Sequence, residues 1–106
     1  MSTSVRVLEP EGMIDSVGGN QLRREVADLL DAGIETILLD FQNITFMDSS
    51  GLGAMVATLQ AVRAKGATLY LCSLNDQLKI ILEMTKMDKI FTILPDRAAF
   101  DLAIES

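Results

Sequence analysis

The stretch "TFMDSSGLGAM", residues 45–55, decides the fold. Two apolar residues lead into one acid, two serines and a glycine-leucine-glycine triplet. Aspartate and serine are favoured helix N-caps, so Asp48 or Ser49 can begin a helix directly after a short extended segment. We expect this helix to run from about Ser50 to Lys65, where Gly66 ends it. Its apolar stripe consists of Leu52, Met55, Val56, Leu59 and Val62.

Strands and helices alternate on both sides of this stretch. Apolar or alternating runs typical of strands occupy residues 4–9, 11–15, 35–41, 67–74 and 89–94. Helical spacing of apolar residues occupies residues 20–33, 76–87 and 96–105. Because strands joined by helical crossovers pair in parallel, the pattern predicts an α/β fold. We expect a single domain over residues 1–106, with a central mixed, largely parallel sheet of about four to five strands flanked by about four helices.

Local features refine this prediction. Pro10 cannot donate to a sheet ladder, so the strand at 4–9 is expected at a sheet edge. The segment "SVGGN", residues 16–20, is predicted to be a loop. Gly33 is expected to end the first helix, and Pro95 is expected at the first position of the last helix. The run 35–41 is almost continuously apolar, which is typical of a central strand covered on both faces.

The composition is that of an acidic globular chain. The 106 residues are 49% hydrophobic and 23% charged, and the formal net charge at pH 7 is −6. Nucleic acids and anionic membranes are therefore expected to be poor partners, and a basic protein surface a better one. No segment has the about 20 apolar residues of a membrane-spanning helix, and the N-terminus lacks the features of a signal peptide. We expect a soluble, cytoplasmic protein.

The residue inventory argues against catalysis by this chain alone, so we expect no enzyme. Histidine is absent, which removes Ser-His-Asp and Cys-His catalysis and most zinc sites. The sequence has no P-loop, no GxGxxG and no GxSxG, and "GLG" at residues 51–53 lacks the lysine of a phosphate loop. The single cysteine, Cys72, lies in an apolar run and is predicted to be buried in a strand. No cofactor and no metal are expected.

Glycines and alanines indicate close contacts at the start of the central helix. Gly51 and Gly53 each cost a helix roughly 0.5–1 kcal/mol relative to alanine. They suggest close backbone approach, either by an adjoining strand or by another molecule. A face of small residues follows at spacings of three and four, and it comprises Ala54, Ala57, Ala61 and Ala64. This face can pack inside the domain or dock a partner, and the sequence leaves both interpretations open.

Three roles are open to the serines that follow Asp48. Ser49 can help to cap the helix, as Asp48 can. A nucleophilic Ser49 would have no visible base in its own chain. As a phosphate acceptor, the same serine would gain about −1.5 to −2 charges. The helix N-terminus favours an anion, whereas the adjacent Asp48 opposes it. Phosphorylation here would change the surface charge without necessarily unfolding the helix, which suits a binding switch.

The motif and its surroundings resemble a known family. "FMDSSGLGAM", preceded by "TILLDFQNIT" and followed by "LQAVRAKGATLYLCSL", is similar to the STAS domain family, and within it to bacterial anti-sigma-factor antagonists. The similarity also includes "GMID" at residues 12–15 and "LEMTKMDKIFTI" at residues 82–93, so it covers nearly the whole chain.

The resemblance implies a switchable binding protein rather than an enzyme. In that family the antagonist binds an anti-sigma factor that is also a serine kinase, and so releases a sigma factor that regulates transcription. The kinase uses ATP to phosphorylate the first serine after the aspartate, and a PP2C-type phosphatase reverses this step. By motif position, the acceptor in this sequence is Ser49. The implied partner-binding residues are Asp15, Asp48, Ser50, Gly51 and Gly53.

The sequence departs from the family pattern in two places. Family members usually have another strand before the one corresponding to residues 4–9, so an exposed sheet edge is expected, with oligomerisation through it as one outcome. The glycine-rich "DSVGGN" replaces a more usual cap, so Asp15 is either part of the binding surface or a solvated turn residue. The alternative function is a STAS interaction module of a stress-signalling assembly or of a membrane transport system.

Overall fold

The computed structural model describes residues 4–105, and the two ends of the predicted 1–106 domain lie outside the described residues. Its strands are β1 (Val5–Leu8), β2 (Gly12–Ile14), β3 (Thr36–Asp40), β4 (Ile44–Met47), β5 (Thr68–Cys72) and β6 (Thr92–Leu94). Its α-helices are α1 (Ser16–Asp31), α2 (Ser49–Ala64), α3 (Asp76–Met84) and α4 (Arg97–Glu105), and a short 3-10 helix spans Met87–Lys89.

The strands form two parallel sheets. The larger one has the order β1-β3-β5-β6, and β2 pairs with β4 in a separate two-stranded sheet. Every strand pair among residues 4–105 is parallel. The predicted α/β fold with a largely parallel sheet and four helices is therefore confirmed. The edge position predicted for the first strand is also confirmed, and β3, all of whose residues are buried, lies between β1 and β5.

Alternating side chains of the large sheet face two different layers. One face packs against α1, α2 and α3 through an aliphatic core that includes Ile37 and Leu39 of β3. The opposite face packs against α4 through Leu38, Cys72 and Phe100. Because β3 contributes to both layers, its nearly continuous apolar sequence is explained. Over residues 4–105, no helix combines the length and the apolar character needed to cross a membrane.

The prediction of a loop at residues 16–20 is wrong, because these residues form the first turns of α1. Asp15 is the N-cap, and its Oδ1 accepts a hydrogen bond from the Gly18 N–H at 2.8 Å. Gly19 is buried, and a Cβ at that position would lie only 2.7 Å from the Cβ of Ala54 in α2. Close packing of the two helices therefore outweighs the low helical propensity of the glycine pair.

The expected position of Pro95 is also wrong. Helix α4 begins at Arg97, and Asp96 caps it by accepting a hydrogen bond from the Ala99 N–H at 2.9 Å. Proline therefore precedes the cap instead of occupying the first helical position. Gly33 follows α1 with a φ of +87°, a left-handed conformation that suits the end of a helix, as expected.

Cys72 is fully buried, as its apolar surroundings predicted. Burial raises the pKa of its thiol above the ordinary value, and the nearby Asp40 carboxylate raises that pKa further. The Ser73 hydroxyl, 3.7 Å from the sulfur, acts in the opposite direction by favouring the thiolate. The folded protein therefore disfavours the thiolate.

This raised pKa predicts a loss of stability at alkaline pH. A group with a raised folded-state pKa stabilises the fold fully below its unfolded-state pKa, about 8.5 for cysteine, and this contribution is lost as the pH rises through the folded-state value. We expect the free energy of unfolding of the wild type to fall more steeply between about pH 8 and pH 10 than that of Cys72→Ala. Urea unfolding at several pH values, with a reductant present, measures both slopes, and equal slopes would contradict the prediction.

Candidate functional site

The predicted site residues converge where β2 and β4 end. In this parallel pair Met13 lies opposite Phe46, and Ile14 lies opposite Met47. Asp15 and Asp48 are the next residues of the two chains, so neighbouring strands about 4.8 Å apart deliver both acids to the same edge. The Asp48 N–H donates a hydrogen bond to the Ile14 carbonyl oxygen at 3.3 Å. The structure therefore brings together the two acids that the sequence places 33 positions apart.

Both acids are helix N-caps, which fixes their carboxylates. Asp15 Oδ1 accepts from the Gly18 N–H, and Asp48 Oδ1 accepts from the Gly51 N–H, each at 2.8 Å. Helices α1 and α2 consequently begin side by side, with a half-buried carboxylate at each start. Asp15 thus caps α1 and lies beside the serine motif. The sequence left open that it is a solvated turn residue, and the structure shows that its side chain has a capping role instead.

Ser49 and Ser50 occupy the first positions of α2 and are exposed. Over residues 4–105, neither hydroxyl forms a side-chain hydrogen bond to another residue, and the capping role belongs to Asp48. A group that loses a proton to a base needs that base within hydrogen-bond reach. The sequence has no histidine, and among the described residues no side-chain hydrogen bond joins the Ser49 hydroxyl to Asp48 or to another candidate base.

The two glycines of the motif have different surroundings. Gly51 is buried, and a Cβ there would overlap the carbonyl oxygen of Ile14 at the end of β2. Gly53 is exposed, and a Cβ there would meet no atom within 4 Å. The close approach at Gly51 is therefore made by an adjoining strand, while the surface at Gly53 is open. Ala54 packs against Gly19, so the first alanine of the small-residue face is an internal contact.

Exposed apolar side chains lie on the strands and helices next to the serine motif. On one side lie Met13 and Val17, which are 51% and 72% exposed. On the other side a groove of about 520 Å³ runs between β4 and α3, and its walls include Phe46, Ile80 and Met84. Asp48 lies at the edge of this groove, next to the serines. Exposed apolar patches of this kind mark surfaces that bind another molecule, protein partners among them.

Helix α3 contributes residues next to the site that the sequence analysis did not single out. Ile80 and Met84 are four residues apart on α3, outside its buried stripe, and this spacing could have indicated a second apolar face. Gln77 donates from Nε2 to the Met47 carbonyl oxygen and accepts at Oε1 from the Met47 N–H, both at 2.9 Å. No local sequence signal identifies Gln77, because its partner lies 30 positions away.

Comparisons with known proteins show which family and which solved structures this chain is similar to. The sequence model of the STAS domain family matches residues 2–99. The anti-sigma F factor antagonist of Paenibacillus polymyxa is 28% identical over 90 residues, which cover 84% of this chain and 77% of that protein.

Two solved structures show the extent of the shared fold. An anti-sigma factor antagonist from Mycobacterium paratuberculosis superposes with a TM-score of 0.83 at 19% identity, over 100% of this chain and 90% of the other. The STAS domain of a SulP transporter from Vibrio cholerae superposes with a TM-score of 0.79 at 16% identity, over 99% and 84% of the two chains. At these identities the likeness concerns the fold alone, and the fold occurs in both kinds of protein.

The contrast between the two glycines gives a matched test of the site's geometry. We expect Gly51→Ala to destabilise the protein by about 1–3 kcal/mol or more, because its Cβ overlaps the backbone of β2. We expect Gly53→Ala to be neutral, or to stabilise the protein by up to about 1 kcal/mol, because it adds helix propensity in open space. Urea unfolding measures both changes, and similar values for the two variants would show that the contact with Ile14 does not constrain α2.

Proposed function

The chain belongs to the STAS domain family, and from this premise we propose that it is an anti-sigma-factor antagonist that acts in the cytoplasm. In this proposal it binds an anti-sigma factor with serine kinase activity through the surface around Ser49, and so regulates transcription. Phosphorylation of Ser49 ends the interaction, and a PP2C-type phosphatase restores it. The observation that carries the proposal is the exposed Ser49 hydroxyl at the start of α2, beside two capping carboxylates.

The proposal makes this chain the substrate and its partner the enzyme. The Ser49 oxygen attacks the γ-phosphorus of ATP, the bond from that phosphorus to the bridging oxygen breaks, and ADP leaves. The hydroxyl proton passes to a base of the kinase, which also holds the nucleotide and magnesium. The absence of histidine from the sequence is consistent with this division of roles.

The negative charge of a phosphate on Ser49 is proposed to control binding. A phosphate adds about −1.5 to −2 charges beside the carboxylates of Asp15 and Asp48, in a chain whose formal net charge is already −6. In a complex that excludes water from this surface, the phosphate and the two carboxylates would lose solvent screening, so their mutual repulsion and the desolvation of the phosphate oppose binding. The N-terminus of α2 favours an anion, so the helix itself is expected to persist. The modification would thus change binding while the fold is retained.

The roles of the remaining motif residues follow from their surroundings. Gly53 is exposed and has open space at its Cβ position, which supports direct approach of the partner's backbone. Ser50 is exposed beside the acceptor and is proposed to contact the partner. Gly51 is buried against β2, so we propose that it shapes the site by allowing α2 to begin there.

The alternative function, a STAS module of a stress-signalling assembly or a transport system, has the same fold. The fold alone therefore does not distinguish between the antagonist function and this alternative. The similarity to an antagonist from Paenibacillus polymyxa and the exposed Ser49 favour the antagonist.

The site assignment is tested by intact-protein mass spectrometry. We expect the anti-sigma-factor kinase of the source organism, with ATP and magnesium, to add one phosphate to the wild type and to Ser50→Ala, and none to Ser49→Ala. Ser50→Ala is the matched control because it removes a neighbouring exposed hydroxyl from the same helical turn. Equal incorporation into Ser49→Ala would refute the assignment of the acceptor, and no incorporation into the wild type by any such kinase would refute the proposed switch.

The effect on binding is measured by calorimetry on the unmodified and the phosphorylated chain. Because burying the phosphate beside two carboxylates opposes the complex, we expect phosphorylation to weaken binding to the anti-sigma factor by at least about tenfold. Treatment with a PP2C-type phosphatase should restore the original affinity. An affinity unchanged by phosphorylation would contradict the switch even if Ser49 is the acceptor.

A further inference from the structure

Strand β4 is held along both of its edges, although it has only one strand as a neighbour. Strand β2 pairs with one edge, and no other strand among residues 4–105 pairs with β4. Along the other edge, side-chain amides at the start of α3 take the place of a strand. Asn75 Nδ2 donates to the carbonyl oxygens of Ile44 and Thr45 at 3.0 and 3.3 Å.

Gln77 completes this second edge at Met47. Its amide donates to the Met47 carbonyl oxygen and accepts from the Met47 N–H, as a peptide group of a neighbouring strand would. Both distances are 2.9 Å, and only one orientation of the amide satisfies both groups, because the N–H must face oxygen. Met47 is 1% exposed, so water cannot readily replace these bonds.

These bonds act directly on the segment that carries Ser49. The Met47 carbonyl and the Asp48 N–H belong to the same peptide group. Gln77 binds the oxygen of this group, while the Ile14 carbonyl accepts from its N–H at 3.3 Å. The peptide that precedes the α2 cap is therefore held at both ends, one by α3 and the other by β2. Helix α3 is itself anchored, since Leu78, the residue after Gln77, is fully buried.

We propose that Gln77 is a positioning residue for phosphorylation of Ser49, an inference that rests on the proposed function. Phosphoryl transfer depends on alignment of the acceptor oxygen, the γ-phosphorus and the leaving ADP, while the hydroxyl proton passes to the base of the kinase. Small displacements of a reacting group reduce the rate of such a step strongly. By fixing the Met47–Asp48 peptide, Gln77 fixes the direction in which α2 begins and in which the Ser49 hydroxyl is presented.

Gln77 can be tested separately from the packing of the helix. Its neighbour Asn75 also caps α3, because Asn75 Oδ1 accepts from the Leu78 N–H at 2.9 Å, so a change there would disturb the helix itself. Gln77→Met keeps the length of the side chain and removes both hydrogen bonds to Met47, and Gln77→Ala removes the side chain. Gln60→Ala is the matched control, since it makes the same change at an exposed position of the helix that carries Ser49.

The experiment measures phosphorylation kinetics with the kinase that modifies the wild type. We expect kcat for Gln77→Met and Gln77→Ala to fall by about tenfold or more, with KM within about twofold of the wild type. Gln60→Ala should retain wild-type kinetics. Leu30→Ala, which truncates a buried side chain near the end of α1, controls for general loss of stability and should retain kcat at a temperature where it is folded. Unchanged kcat in Gln77→Met, or an equal loss in Leu30→Ala, would overturn the inference.

Amide hydrogen exchange provides a readout that does not require a kinase. The Met47 N–H should exchange faster in Gln77→Met than in the wild type and in Gln60→Ala, because its acceptor is removed. Unchanged exchange would show that Gln77 does not hold the junction and would overturn the inference. If no kinase modifies the wild type, the proposed function fails, whereas faster exchange in Gln77→Met would still establish that Gln77 holds the peptide before the cap.

Discussion

The contact between the first turn of α2 and the end of β2 is the constraint on which the site depends. The Ile14 carbonyl oxygen accepts a hydrogen bond from the Asp48 N–H and lies where a side chain at residue 51 would begin. Only glycine allows this approach. It lets α2 begin directly at the edge of the small sheet, so the serine after the cap stands beside the start of α1. A larger residue at position 51 would separate the two elements that build the site.

The acidity of the site is a structural consequence of how the two helices begin. Strands β2 and β4 are parallel and their last residues are paired, and each strand is followed at once by an aspartate that caps a helix. Each carboxylate accepts a hydrogen bond from the backbone three residues ahead, which also places it at the positive end of a helix dipole. The acids therefore stabilise the fold and set the charge around Ser49 by the same geometry.

Much of this arrangement could be predicted from local sequence. The spacing of apolar residues and the Asp-Ser cap signal located α2, and the continuous apolar run identified β3 as a central strand. The sequence predicts a loop at the glycine pair of residues 18 and 19, whereas the structure has a helix there. The helical conformation depends on packing of Gly19 against Ala54, which no local sequence signal shows. Gly51 and Gly53 look alike in the sequence, and only the position of β2 distinguishes them. Gln77 carries no local signal, since its role lies in contacts with a strand 30 positions earlier.

The rigidity of the junction bears on how a phosphate would act. If the segment carrying Ser49 could move, an added charge would be relieved by shifting the serine away from the two carboxylates. Here the peptide before the cap is bound by Gln77 and by Ile14, and both neighbouring helices are capped. Moving Ser49 away from the two carboxylates would break several of these hydrogen bonds. The repulsion between the phosphate and the two carboxylates is therefore expected to persist in the folded chain. It opposes any complex that removes water from this surface, as a reversible binding switch requires.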